Sequence, residues 1–186
     1  MNTQSWVKYY PAGALDDLGV SDKCLPDLLH NAVREFAGST ALTSPTASWT
    51  YERLGLEAQR LAEQFRTAGI TPGSRVAIYL PNLPEYVAAL FATWLVKGVV
   101  VQVNPAYVAA EVSRILEHAG AALLVTTAGQ LSRLRESSTN IHWPICLLGD
   151  GIEPVFSGAL DLVIQRDSPD IPAELAVLQY TGGTTG

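Results

Sequence analysis

Cysteine is scarce in these 186 residues: Cys24 and Cys146 stand far apart, with no CxxC spacing. One available pair makes no disulfide framework, so a reducing, cytoplasmic compartment is the simpler expectation. Charge is also sparse. Charged residues make up 16% of the chain, and twelve Lys and Arg against eighteen Asp and Glu leave a formal net charge of -6. No basic cluster breaks that balance, which argues against a nucleic-acid-binding domain. Nucleotide binding needs only a few local groups and is untouched by it. Long apolar runs are missing too. The most apolar stretch, 86–101, is interrupted by Lys97 and Gly98, and a membrane-spanning helix takes ~20 mostly apolar residues. The opening MNTQSWVKYYPAG has no apolar centre of a secretory signal. His30, His118 and His142 form no metal-ligand spacing. No internal repeat or low-complexity tract is present. Composition leaves peripheral membrane contact and homodimer formation open.

What is present is 48% hydrophobic residues, ordinary for a globular protein, in a chain long enough for one domain with a real core. It is too short for a large two-domain enzyme. Helix-period and strand-like segments alternate. Tyr51, Leu54, Ala58, Leu61 and Phe65 recur at three- and four-residue spacing over 51–68, with Thr50 suited to cap the start and Gly69 the end. Pro72-Gly73 turns into a short apolar strand at 75–80. The next helix starts near Pro84 and runs to Lys97, with Gly98 beyond. It carries Tyr86, Val87, Leu90, Phe91, Trp94 and Leu95, is apolar nearly all round, and is expected to lie buried between layers. A strand at 99–103 and a turn at Asn104-Pro105 follow, then a helix using Val108, Val112, Ile115, Leu116 and Ala119 that stops at Gly120. A strand at 122–126, a helix near 128–136 and a strand at 145–148 continue the alternation. An earlier helix on Leu25, Leu28, Leu29, Ala32 and Phe36 precedes it, and 149–172, rich in Gly, Pro and Asp, reads as surface connection. Continuously apolar strands separated by helices predict an α/β fold, a mostly parallel sheet with helices on both faces, doubly wound.

The last expected strand, 175–180, runs directly into Thr181-Gly182-Gly183-Thr184-Thr185-Gly186. A glycine-rich loop after a parallel strand sits at the carboxyl edge of the sheet, where open α/β folds bind ligands. Glycines let backbone N–H groups approach an anion closely, and three threonine hydroxyls add donors. Taken alone, such a loop is equally compatible with a plain surface turn. The GxxxxGK[ST] phosphate loop is a competitor whose lysine would fall beyond Gly186.

Context narrows this. The stretch LQYTGGTTG resembles the phosphate-loop motif of the adenylate-forming (AMP-binding) superfamily, which includes acyl-CoA synthetases, luciferases and peptide-synthetase adenylation domains. Upstream segments resemble the same family in the same order. They are Trp49-Thr50-Tyr51 with Leu54; Gly73-Ser74-Arg75-Val76-Ala77 with Leu80-Pro81-Asn82 and Glu85; and Val103-Asn104-Pro105-Ala106-Tyr107 with Glu111. The TGGTTG form, with Gly182 where many members carry Ser, and a leader containing Trp6 and Tyr10-Pro11, resemble bacterial long-chain fatty acid–CoA ligases.

The resemblance implies a two-step reaction. A fatty acid carboxylate attacks the α-phosphate of ATP to give an acyl-adenylate and pyrophosphate, and coenzyme A then displaces AMP. Thr181, Gly182, Gly183, Thr184, Thr185 and Gly186 would grip the β- and γ-phosphates, with Mg2+ bridging phosphate oxygens. It further implies an arm and first helix over 1–48 and an α/β subdomain over 49–186 that ends inside the phosphate loop. A C-terminal domain and the metal-holding carboxylate would lie outside the chain, so no catalytic residue is expected within it, and these residues alone are expected to be inactive. An aryl- or medium-chain acid–CoA ligase and a non-catalytic α/β binding module are the alternatives. Other residues read as structural. Trp6, Tyr9 and Tyr10 suit an aromatic arm packed on the body; His118 suits a helix C-terminus. Asn104 and Pro105 suit a turn, Glu85 and Glu111 fit first helical turns, and Asp16, Asp17 and Asp150 are expected to be solvated.

Overall fold

A computed structural model describes residues 24–136, 141–149, 155–157 and 175–180. In chain order the elements are α1 (Leu25–Phe36), β1 (Thr40–Thr43), β2 (Ser48–Thr50), α2 (Tyr51–Thr67), β3 (Arg75–Tyr79), α3 (Pro84–Leu95), β4 (Val99–Gln102), α4 (Ala109–Ala119), β5 (Leu123–Thr126), α5 (Ala128–Glu136), β6 (Ile145–Leu147), β7 (Val155–Ser157) and β8 (Val177–Gln179). The main sheet has the order β7-β6-β5-β3-β4-β8. Strands β6, β5, β3, β4 and β8 run parallel, and β7 pairs antiparallel with β6 at the edge. The predicted α/β fold with a mostly parallel sheet is therefore the observed one.

Strand alternation sorts the core into two layers. Val76, Ile78, Leu80, Val100, Leu123, Val125, Cys146 and Leu148 face one side, where Leu54, Ala58, Leu61 and Phe65 of α2 and Ala88, Ala89 and Ala92 of α3 pack on them. Ala77, Tyr79, Val101, Val103 and Leu124 face the other, against Val112, Ile115 and Leu116 of α4 and Leu134 of α5. The central strands β3, β4 and β5 are buried on both faces, which is why they read as continuous apolar runs rather than as alternating ones.

Helix ends follow their local chemistry. Thr50 Oγ1 accepts from the Arg53 N–H at 3.2 Å, capping α2. Gly69 (φ +82°) and Gly120 (φ +61°) take the left-handed conformation that closes α2 and α4. At the end of α3, Lys97 rather than Gly98 is left-handed, at φ +57°. The Gly98 N–H donates to the Thr93 carbonyl at 2.8 Å and the Lys97 N–H to the Trp94 carbonyl at 2.9 Å, a Schellman closure. Gly98 is needed for another reason: a Cβ there would lie 3.1 Å from the Ser74 and Thr93 carbonyl oxygens.

Three expectations are corrected. Helix α3 stops at Leu95, short of Lys97. It is not buried all round: Ala88, Ala89, Ala92 and Thr93 are fully enclosed, while Tyr86, Val87, Leu90, Phe91, Trp94 and Leu95 are half-buried. The small residues fill the face that packs against α2 and the sheet, and the large ones lie at the margins of that contact. The segment 149–172 is not connection throughout, because β7 lies within it and extends the sheet. In addition, 40–50 forms an antiparallel pair, β1 with β2, that periodicity did not show. Among the described residues no helix is long and apolar enough to cross a membrane.

Candidate functional site at the carboxyl edge of the sheet

Strand order places a topological switch between β3 and β4. The chain leaves β3 for α3 on one face and leaves β4 for α4 on the other. The two loops diverge there and leave a crevice outside the carboxyl ends, the usual ligand position in such sheets. Leu80-Pro81-Asn82 flanks it on one side and Asn104-Pro105-Ala106 on the other. Because β8 is parallel to β4, with Gln179 level with Gln102, the chain reaches Tyr180 at this same edge.

The turn after β4 is held from three directions. Asn104 Oδ1 accepts from the Ala106 N–H at 2.9 Å, the local turn expected of this residue. Tyr79, buried at the end of β3, donates its hydroxyl to the Tyr107 carbonyl at 2.9 Å. Gln130 of α5, also buried, donates its amide to the Pro105 carbonyl at 3.0 Å. Glu111 accepts from the Val108 N–H at 3.0 Å and so holds the start of α4. Asn104 and Glu111 thus have the structural roles expected of them, and Glu85 occupies the first turn of α3. On the opposite face Gln102 donates to the Tyr86 hydroxyl at 2.9 Å. Burial pushes the Tyr79 hydroxyl above the ordinary tyrosine range, partly opposed by Arg133. Burial raises Tyr86 as well, partly opposed by its bond with Gln102. Both therefore remain neutral hydrogen-bonding groups. Thr126, enclosed at the carboxyl end of β5, has a hydroxyl with no hydrogen-bond partner among the described residues.

His118, in the last turn of α4, also meets a partner 62 residues away: its Nδ1 lies 2.7 Å from the Tyr180 hydroxyl. The rings meet edge to face with centroids 5.7 Å apart. Burial raises the Tyr180 hydroxyl, with the Arg75 charge opposing it. Sequence reasoning missed Tyr79, Gln102, Gln130 and this pair, since each contact joins residues distant in the chain. The one available signal was a polar atom inside an apolar run, as in Tyr79. The candidate phosphate loop Thr181–Gly186 and the Trp6–Pro11 arm lie outside the described residues. Among the described residues no three carboxylate, imidazole or thiol groups gather as metal ligands.

A doubly wound α/β sheet with clamped loops at a switch point defines a class that binds ligands across its carboxyl edge. Within that class the chain belongs to the AMP-binding enzyme family, whose profile matches residues 29–186. It is 26% identical to a long-chain-fatty-acid–CoA ligase of Salmonella typhimurium over 215 aligned positions, covering 97% of this chain and 38% of that protein. It is 34% identical to tyrocidine synthase 3 of Brevibacillus parabrevis over 89% of this chain and 2% of that protein. Among solved structures, a benzoate CoA ligase from Burkholderia xenovorans superposes with a TM-score of 0.62 at 21% identity, covering 67% of this chain and 25% of that one. The N-terminal domain of FACL13 from Mycobacterium tuberculosis superposes at 0.60 with 24% identity, covering 63% and 31% respectively. The chain thus spans less than two fifths of the long-chain ligase that it matches nearly end to end.

Proposed function

We propose that this chain is the N-terminal portion of an ATP-dependent acid–CoA ligase acting on fatty acids, and that Thr181, Gly182, Gly183, Thr184, Thr185 and Gly186 hold the β- and γ-phosphates of ATP. The observation that carries the reading is the family match, which extends through 29–186 and so takes in that loop. Its support in the fold is the parallel register of β8 with β4, which leads the chain toward the loop at the same edge as the clamped 104–108 turn. The fatty acid assignment is supported by long-chain ligase relatives that cover 97% of the chain. The peptide synthase relative points to the step the two would share, carboxylate attack on ATP with departure of pyrophosphate.

In that step this chain's part is binding and orientation. Backbone N–H groups and threonine hydroxyls around the pyrophosphate leaving group stabilise the charge that develops on it. Magnesium would neutralise phosphate charge, but among the described residues no three carboxylate, imidazole or thiol groups gather to hold it. Coenzyme A is assigned to the second half-reaction, outside these residues. The division into an arm with first helix over 1–48 and an α/β subdomain over 49–186 is part of the same proposal.

Exchange of labelled pyrophosphate into ATP tests it. The full-length protein that contains this chain should catalyse exchange only when a fatty acid is present, and then form acyl-CoA. The 186-residue chain alone should not. Exchange by the chain alone would overturn the division of labour. Full-length protein that exchanges with benzoate or another aryl acid, and not with fatty acids, would move the substrate class. No acid-dependent exchange at all would sink the ligase reading.

A further inference from the structure

We infer that His118 is a positioning residue for the phosphate loop, acting through Tyr180. The inference rests on the proposed role of Thr181–Gly186 and assigns to α4 a part in triphosphate binding.

The need for such a residue follows from how little holds the end of β8. That strand is three residues long, and its ladder with β4 ends at the Gln102–Gln179 pair. Tyr180 is the next residue and the last before the loop. Among the described residues its side chain makes one hydrogen bond, to His118 Nδ1 at 2.7 Å. The edge-to-face ring contact fixes the same phenol in a second way. Leu178 and Tyr180 both pack against the α4 layer, and the hydrogen bond lies at the exposed margin of that apolar contact.

The anchor itself is firm. Helix α4 is closed at its far end by Arg75, whose guanidinium donates to the Ala119 carbonyl at 2.6 Å, one residue beyond His118. At its near end the Glu111 carboxylate holds the Val108 N–H. Val112, Ile115 and Leu116 seat the helix on the sheet. Tyr180 is thereby tied to the body of the domain where the chain passes from β8 toward Thr181. A loop that grips phosphates through backbone N–H groups depends on where its first residue starts. Loss of the tie should weaken triphosphate binding while leaving the carboxylic acid and the thiol unaffected.

The test uses full-length protein and steady-state kinetics with ATP, a fatty acid and coenzyme A varied in turn. Tyr180→Phe removes only the hydroxyl, and His118→Ala removes the ring. Each should raise the KM for ATP by about threefold to tenfold, the worth of one net hydrogen bond, with the KM values for fatty acid and coenzyme A unchanged. His118→Asn keeps a hydrogen-bonding group near the Nδ1 position and should restore most of the ATP affinity. The double variant His118→Ala/Tyr180→Phe should be no worse than the worse single variant, because both remove one interaction. An unchanged KM for ATP in Y180F and H118A overturns the inference, and so does a uniform rise in all three KM values that H118N fails to repair. Wild-type protein with no acid-dependent ATP turnover identifies the ligase reading as the failure and takes this inference with it. Normal turnover with insensitive variants removes this inference alone.

Discussion

Cys146 sits in β6 with its thiol enclosed, while Cys24 at the start of α1 is exposed. Burial pushes the Cys146 thiol up to about 12 from an ordinary 9.0, with a small opposing influence from Arg60. A folded-state value raised above the unfolded one means that the folded chain retains its proton while the unfolded chain loses it. The associated stability is complete below pH 9.0 and disappears as pH climbs from there toward about 12. Urea midpoints should therefore fall between pH 9 and 11 more steeply for the natural chain than for Cys146→Ala, the two curves running parallel below pH 8. The same burial makes Cys146 inert: a thiol reagent at pH 8 should titrate one cysteine in native protein and two in urea. Lys97 offers a separate residue-scale measurement. A lysine at φ +57° bears a Cβ strain that glycine lacks, so Lys97→Gly should raise stability by about 0.5–1 kcal/mol in urea titration. A loss of stability would mean that the lysine side chain makes up for the strain.

At the scale of elements, helices with local stop signals were legible. Thr50 and Gly69 bracket α2, and Gly120 ends α4, because caps are set by residues within a turn of the helix end. Thr50→Ala should consequently cost about 1 kcal/mol, read as a lower thermal or urea midpoint without a change in slope. Central strands were equally legible, since burial on both faces leaves only apolar residues. Elements whose stability comes from a partner were not. Strand β1 pairs with β2 across a bulge and shows a mixed burial pattern; β7 is three residues within a segment rich in turn formers. Helix α3 shows the limit of periodicity most plainly. Its large apolar side chains suggested all-round burial, yet Ala88, Ala89 and Ala92 are the enclosed ones, a choice set by which face neighbouring layers cover. The candidate site divides in the same way. Asn104 and Glu111 serve the backbone within three residues of themselves and were readable as turn and first-turn groups. Tyr79, Gln130 and His118 serve partners 28, 25 and 62 residues away, which only the fold brings near.

For the whole molecule, the sheet order makes stability uneven. Strand β3 lies between β4 and β5 and is sealed by helices on both faces, whereas β8, among the described residues, has one strand neighbour and residues only half-buried or exposed. It is held by its ladder with β4 and by Trp94, whose indole N–H donates to the Ala176 carbonyl at 3.0 Å from across the α3 layer. Phe91 supports that indole edge-on, at 5.4 Å between centroids. Trp94 thus links the α1–α2–α3 side of the molecule to the strand that leads toward the candidate phosphate loop, as His118 does from the α4 side. Trp94→Phe retains an aromatic ring and deletes the donor, so it should lower the cost of opening β8 without unfolding the rest. A lost hydrogen bond of about 1 kcal/mol corresponds to roughly fivefold faster amide exchange. That acceleration should appear at Val177, Leu178 and Gln179 and leave Val76, Ile78 and Val125 at their original rates. Equal acceleration throughout would show instead that β8 opens only with the whole sheet. Its position would then be set by global stability, and a phosphate loop following it would gain nothing from the two side chains that hold it.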